Sequence, residues 1–412
     1  MSSRSGSAGT FHETAHNGRR RVLCAPVWTV VLAGFCAFLN LYVTQPILPL
    51  LSQTFHATKA AVSFTVTAST LGVALAAPFM GRLADRYGRR RVILISALLV
   101  GVASLLAATS TGLGPLTFWR FLQGVFTPGI FSVTVAYIND EWPWDRVGSA
   151  MAAYVSGTVV GGFSGRAISG FVADRVDWHW SFVVLGLSGL VATAAIWRWL
   201  PQETRQQTHS GALLRPALDH LRNPCLLARY AIGFCVLFSL VGSFTYVTFY
   251  LAAPPFLLSP ALLGSIFVVY LVGAVLTPVG GRWVDRLGSR RMLMFAALIS
   301  MAGIALTLVQ RLLLVATGLA ICCTGVFIAQ TAINSSLGRC TKHDRALAVG
   351  LYASFYYFGG SAGASVPAWA WRFGGWPACV ALIAGVQIIT LAVAWRTFQE
   401  AGFPISAPVE PA

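Results

Sequence analysis

The sequence is short of acid. Of 412 residues only 13 are Asp or Glu, against 29 Lys or Arg, and charged residues of both signs make up 10% of the chain. None of the acids falls inside any of the long apolar runs. That excludes the buried carboxylate pairs used in acid–base hydrolysis, and it removes the usual proton carrier of a membrane-spanning segment. Lysine is nearly missing as well, because 27 of the 29 basic residues are Arg. CxxC pairs and Cys/His spacings are absent, so no metal is expected. Cys36, Cys235, Cys322, Cys323 and Cys379 lie within apolar runs and read as small core residues. A Gly-x-Ser-x-Gly elbow and a P-loop are also lacking, which argues against an enzyme and against nucleotide-driven pumping.

What is present is apolar. Hydrophobic residues are 56% of the chain and the mean hydropathy is +0.70, more than a water-soluble globule can hide. A net charge of +16 would suit nucleic acid, but the arginines sit at the ends of apolar runs and not on one face. Their distribution is a topology signal, and no nucleic-acid partner is expected.

Runs long enough to cross a bilayer recur twelve times. They lie near 27–49, 60–80, 92–109, 116–138, 149–172 and 180–200, then near 228–253, 259–280, 292–309, 312–336, 346–368 and 377–398. The expected fold is an all-α membrane protein with twelve transmembrane helices in two pseudo-symmetric six-helix halves, 27–200 and 228–398. A tail (1–26), a proline-containing connector (201–227) and a second tail (399–412) complete the chain. Arg19, Arg20 and Arg21 resemble an export signal, yet the run that follows is too long for one. Most basic residues then fall on one side, with Lys59, Arg166, Arg175, Arg311 and Arg372 on the other and Arg120 within a span. This bias predicts that both termini are cytoplasmic.

The two halves carry the same loop. Gly81-Arg82-Leu83-Ala84-Asp85-Arg86-Tyr87-Gly88-Arg89-Arg90-Arg91 returns 200 positions later as Gly281-Arg282-Trp283-Val284-Asp285-Arg286-Leu287-Gly288-Ser289-Arg290-Arg291. Two readings stay open for these loops: arginines that enforce orientation, or latches in which Asp85 and Asp285 cap a helix of the opposite half while arginines hold lipid headgroups. Asp140, Glu141, Asp145 and Arg146 lie near the first loop, where a charge relay with Arg82 or Arg86 and a solvated loop are equal alternatives.

The loop G-x-L-A-D-R-x-G-R-R resembles the signature of the major facilitator superfamily of secondary transporters. Arg120-Phe121-Leu122-Gln123-Gly124 is similar to that family's R-x-x-Q-G motif, and Gly157, Gly161, Gly162 and Gly165 fall where its antiporters carry a glycine-rich fifth helix. Thr44-Gln45-Pro46-Ile47-Leu48-Pro49 and Tyr137-Ile138-Asn139-Asp140-Glu141-Trp142 look most like the YnfM-like inner-membrane permeases. One departure stands out: Gly162 occupies the place where the antiporter motif has proline. The resemblance implies a multi-pass bacterial inner-membrane transporter, a monomer in contact with lipid, without a cofactor. It implies alternating access and efflux of a sugar or drug-like compound against protons. Import or uniport by the same fold is the alternative, and a non-transporting sensor or enzyme on this scaffold is a reading of another class.

Residue chemistry names a candidate cavity. Arg120 is the one ionisable residue placed deep in a span, where a charge costs about 2.5 kcal/mol or more, so it should face a wet cavity or a partner. Gln123 and Thr127 continue its stripe. Asn40, Thr44 and Gln45 on the first span, Tyr246 on the seventh, Gln330 and Asn334 on the tenth and Tyr356 on the eleventh complete the set. For each of these, a packing hydrogen bond or an interfacial anchor is the competing role.

Overall fold

A computed structural model describes residues 26–143, 145–203, 214–337, 340 and 345–397, without the side chains of 214–216, 277–281, 285 and 345–346. The first span is broken. Helix α1 (Val27–Leu39) ends after 13 residues, a 3-10 turn follows at Gln45–Ile47, and α2 (Leu48–Thr54) completes the crossing. Pro46 and Pro49 lack the N–H that a continuous helix would need there. Helices α3 (Lys59–Tyr87), α4 (Arg89–Ala107), α5 (Leu113–Glu141), α6 (Val147–Arg175) and α7 (Trp178–Trp199) complete the first half.

The connector holds a short amphipathic helix, α8 (Leu214–Arg222). The second half follows as α9 (Pro224–Ala252), the broken span α10 (Pro260–Ile266) with α11 (Val269–Leu287), then α12 (Ser289–Leu306), α13 (Leu312–Leu337), α14 (Arg345–Ser365) and α15 (Pro367–Thr397). Gly374 and Gly375 interrupt α15, and its part beyond them is the twelfth span. Helix α9 starts four residues before the expected position 228, because Asn223 caps it by accepting from Cys225 N at 2.9 Å and Pro224 suits its first turn. Cys225 is disulfide-bonded to Cys340, a pair that the sequence reading left unassigned; the five other described cysteines are free and buried.

Among the described residues, eight helices are individually long and apolar enough to cross a membrane. The four remaining spans are either broken (α1 with α2, α10 with α11) or built largely from small residues (α6, α14). Large apolar side chains such as Phe64, Ile95, Val191, Val275 and Leu313 stay exposed on the outside, where lipid replaces water.

The halves repeat in three dimensions. Helix α6 lies on α1 through Gly157, Gly161 and Gly165, each of which faces a backbone carbonyl (Val31, Phe35 and Leu39) so closely that a Cβ would come within 2.3 Å. Helix α14 lies on α9 in the same way, with Gly359 and Gly363 against the carbonyls of Phe234 and Phe238. Small residues permit this approach in lipid, where dispersion between backbones drives association. Gly88 and Gly288 link α3 to α4 and α11 to α12 with φ of 93° and 83°, which side chains rarely adopt.

Between the halves, α3 packs on α14 and α6 on α10. Ser361 donates to Thr70 Oγ1 at 2.9 Å, and at the end remote from the arginine loops Ser259 donates to Asp174 and Lys59 lies over the rings of Phe249 and Trp371.

Candidate functional site

Arg120 caps the broken first span. Its Nη1 donates to the carbonyl of Asn40 at 2.6 Å and to Gln123 Oε1, while Nη2 donates to the carbonyl of Leu41 and to Ser69 Oγ at 3.1 Å. The residue is fully buried. Ending α1 in mid-membrane frees carbonyls that lipid cannot satisfy, and a cation at a helix C-terminus satisfies both those acceptors and the helix dipole. The expected cavity position is therefore corrected: Arg120 has a partner, and it is the backbone of its own half. Its companions share that role. Gln123 accepts from Arg120, Thr127 donates to the Gln123 carbonyl at 2.6 Å, and Asn40 Oδ1 accepts from Ser104 at 3.0 Å.

The seam between the halves holds a different arginine. Arg166 was expected on the outer side, but α6 runs on to Arg175, which puts Arg166 about 13 Å inside the helix end. It is 3% exposed. Its Nε donates to Gln45 Oε1 at 2.8 Å and its Nη1 to the carbonyl of Gly162 at 2.6 Å. Three ring faces surround the guanidinium: Tyr42 at 4.6 Å, Phe267 at 4.8 Å and Tyr270 at 4.8 Å. Phe267 stands at the break between α10 and α11, so both broken spans open toward Arg166.

Gln45 joins the halves. While its oxygen accepts from Arg166, its Nε2 donates to Thr245 Oγ1 on α9 at 3.1 Å, and all three residues are buried. Tyrosine rings pack near them: Tyr356 meets Tyr352 at 5.9 Å and Tyr357 at 5.5 Å, and Tyr270 meets Phe267 at 6.0 Å. Phe131 of α5 meets the ring of Tyr357 at 5.8 Å. The result is an aromatic cluster about the Arg166 guanidinium, built from both halves.

Other predicted cavity residues divide between this cluster and packing. Tyr356 donates to Gln330 Oε1 at 2.7 Å, at the cluster's α13 side. Thr44 is buried with its hydroxyl unpartnered. Asn334 is exposed, one turn beyond Gln330. Tyr246 is a packing residue, because its hydroxyl donates to the carbonyl of Ala364 at 2.8 Å and ties α9 to α14. The glycines of α6 pack as described, except Gly162, whose Cα faces the Arg166 side chain.

The first arginine loop is held within its own half. Arg89 pairs with Asp140 and, at 3.7 Å, with Asp85, and donates to the carbonyl of Ala136 at 2.8 Å. The expected relay through Arg82 or Arg86 is corrected, since Arg89 lies closer to α5 and takes Asp140 itself; exposed Arg86 covers the ring of Tyr87. Among the described residues Asp85 caps no helix of the opposite half. It is one turn before Arg89 and is engaged there. Arg146 pairs at the surface with Asp145 at 3.8 Å, and Glu141 lies near Tyr137.

Arg90 and its repeat do the same job twice. Arg90 Nη2 donates to the carbonyl of Trp197 at 2.6 Å and Arg290 Nη2 to that of Trp395 at 3.1 Å, so each loop clamps the C-terminus of the last helix of its half. Glu203, which sequence reasoning missed, accepts from Arg90 N at 3.1 Å and lies against Gly88. In the second loop Arg282 and Arg286 are exposed, while the side-chain positions of Gly281 and Asp285 lie outside the described residues. Among the described residues no cluster of His, Cys, Asp or Glu is placed to hold a metal.

The architecture has a sequence counterpart. The sequence model of the Major Facilitator Superfamily matches residues 30–256 and 249–411. The chain belongs to the major facilitator superfamily. It is 32% identical over 362 residues to the MFS-type transporter YybF of Bacillus subtilis (strain 168), covering 87% of this chain and 90% of the relative. It is 31% identical over 370 residues to the inner membrane transport protein YnfM of Escherichia coli (strain K12), covering 88% of each. The nucleoside transporter NupG has the same fold, with a TM-score of 0.74 at 13% identity over 90% of this chain and 100% of that one. A bacterial homologue of the lysosomal transporter Spinster is similar at a TM-score of 0.64 and 15% identity, over 90% of this chain and 94% of that one.

The protein is thus a multi-pass membrane transporter of the YnfM type, a superfamily whose members carry small molecules. Arg166, the buried cation at the seam, was counted with the outer-side charges although the fifth apolar run, 149–172, passes through it. The signal that would have found it is Arg175, nine residues on, which is the charge that marks the helix end.

Proposed function

We propose that this protein exports a small organic solute across the bacterial inner membrane by alternating access, the two halves rocking about the Arg166 cluster. The carrying observation is Gln45, which bonds to α6 of one half and to α9 of the other beside the buried cation. A solute bound there competes for the groups that hold the halves together, and that competition is what couples binding to movement. Paired glycine crossings in α6 and α14 support rigid-body motion of each half.

The arginine bias supports cytoplasmic termini, and the name of one relative, multidrug resistance protein 2 of Bacillus subtilis, 24% identical over 277 residues, supports efflux. Proton exchange is the coupling that the family resemblance suggests. With no acid in the long apolar runs, the proton must travel on the solute or through Asp85, Asp140 or Glu141.

The test is proton flux in everted vesicles with an acid interior, while sugars, drugs and metabolic acids are added. Solute-dependent collapse of the gradient that Arg166→Ala abolishes is the expected result. A solute that moves without protons would reassign the mechanism to uniport, and one that moves only into cells would reassign it to import.

A further inference from the structure

We infer that the solute is a small organic acid, bound as its carboxylate by Arg166, with an aromatic or branched apolar body lying among the tyrosines; this rests on the transporter reading and narrows it.

The argument begins with an imbalance between the two buried arginines. Both are permanently charged, because a guanidinium does not give up its proton in a protein. Arg120 has four acceptors, two of them main-chain carbonyls, shared between its two terminal nitrogens, and only its Nε lacks a hydrogen-bond partner among the described residues. Arg166 has two acceptors for five N–H donors, and among the described residues its Nη2 has no hydrogen-bond partner. Among the described residues no carboxylate acts on it either: the titratable groups near enough to do so are Tyr42, Tyr270 and Cys323.

An unpaired cation in a low-dielectric site is costly, and three ring faces compensate it only in part. A carboxylate completes the set. Its two oxygens match the free edge of the guanidinium as a fork, with the strength of a charge-assisted pair. The surroundings then say what the rest of the molecule is. Tyr42, Phe267, Tyr270, Tyr356 and Tyr357 offer ring faces and edges, suited to an apolar or aromatic body. A second cation on the solute would find no acid there among the described residues.

The site also explains how cargo loosens the seam. Arg166 now holds Gln45, and Gln45 holds Thr245 of the other half. A carboxylate on the free edge of Arg166 shares the guanidinium charge that Gln45 now accepts from alone, so binding weakens the Arg166–Gln45 bond in the chain that ties the halves.

The experiment uses the full chain purified into lipid nanodiscs. Benzoate, phenylacetate and hexanoate are titrated calorimetrically beside benzamide, phenylacetamide and hexanamide, which have nearly the same shape and no charge. The acids are expected to bind at least about tenfold more tightly than their amides, and Arg166→Gln is expected to remove that preference. The acid-to-amide ratio in the unaltered protein stands even where the variant folds poorly. Equal binding of acids and amides, or no binding of the acids, overturns the inference, as does acid binding retained in Arg166→Gln. Counterflow in proteoliposomes separates the two readings. Neutral or cationic solutes exchanged equally by both proteins would overturn the anion site and leave transport standing, whereas acids that bind at Arg166 without any solute moving would uphold the site and overturn transport.

Discussion

Arg120 Nη1 lies 2.6 Å from the main-chain oxygen of Asn40, so a side chain of the fourth span terminates the first. The consequence is architectural. Residues 40–44 can leave the helix at mid-membrane only because Arg120 and Ser69 donate to the carbonyls of Asn40 and Leu41 that the break exposes. Arg120→Gln is expected to lower stability by about 2–4 kcal/mol, the cost of stranding buried carbonyls. Thermal unfolding in detergent and abundance in the membrane check this. A loss of transport with both unchanged would return Arg120 to the cargo site.

Gln45→Glu makes the opposite kind of change at the seam. It keeps the acceptor for Arg166 Nε and adds a negative charge to it, 2.8 Å away. The new side chain then occupies the cation in place of cargo. Transport is expected to fall about tenfold or more, with a melting temperature equal to or above the starting one, since a buried pair that is complete does not destabilise as a broken one does. Counterflow and thermal unfolding on the same preparation decide it, and undiminished transport would count against Arg166 as the cargo group.

The glycines of α6 divide by what they face. A Cβ at Gly165 would lie 1.9 Å from the Leu39 carbonyl, while at Gly162 the nearest atom is Arg166 Nη1 at 3.4 Å. Gly165→Ala should therefore cost about 1–3 kcal/mol through displaced backbone, and Gly162→Ala should change stability by no more than about 0.5 kcal/mol. Urea unfolding of the two variants side by side measures the difference. Equal costs would mean that α1 and α6 are not in contact along this row.

The sequence made the fold legible and the site only partly so, for a physical reason. Hydropathy and the duplicated loop report on composition along one dimension, and that is what decides which segments cross a bilayer. The partners of a polar side chain are decided across helices. Arg120 and Gln45 were recognised by type, yet nothing local says that Arg120 meets the carbonyls of Asn40 and Leu41, or that Gln45 meets Thr245, 200 residues away. Arg166 was misplaced because it lies in the outer part of its run, and only Arg175, where α6 ends, shows how far inside it stands. Tyr42, Phe267 and Tyr270 were overlooked because each becomes informative only once its ring lies over that guanidinium.

The arginine loop yields a ranking that its sequence does not contain. Arg89 is shared by two acids, but Asp140 is in direct contact whereas Asp85 stands 3.7 Å away one turn before it. All three side chains are between 13% and 25% exposed, so solvent screens the pairs and the energies stay modest. In a double-mutant cycle, Arg89→Gln with Asp140→Asn should show a coupling of about 1 kcal/mol, and Arg89→Gln with Asp85→Asn about 0.3–0.5 kcal/mol, the usual size for a pair one helical turn apart. Urea unfolding of the five proteins of the two cycles together with the unaltered chain supplies the numbers. A reversed order would mean that Asp85 and not Asp140 anchors Arg89, and that α4 is tied to α3 in preference to α5.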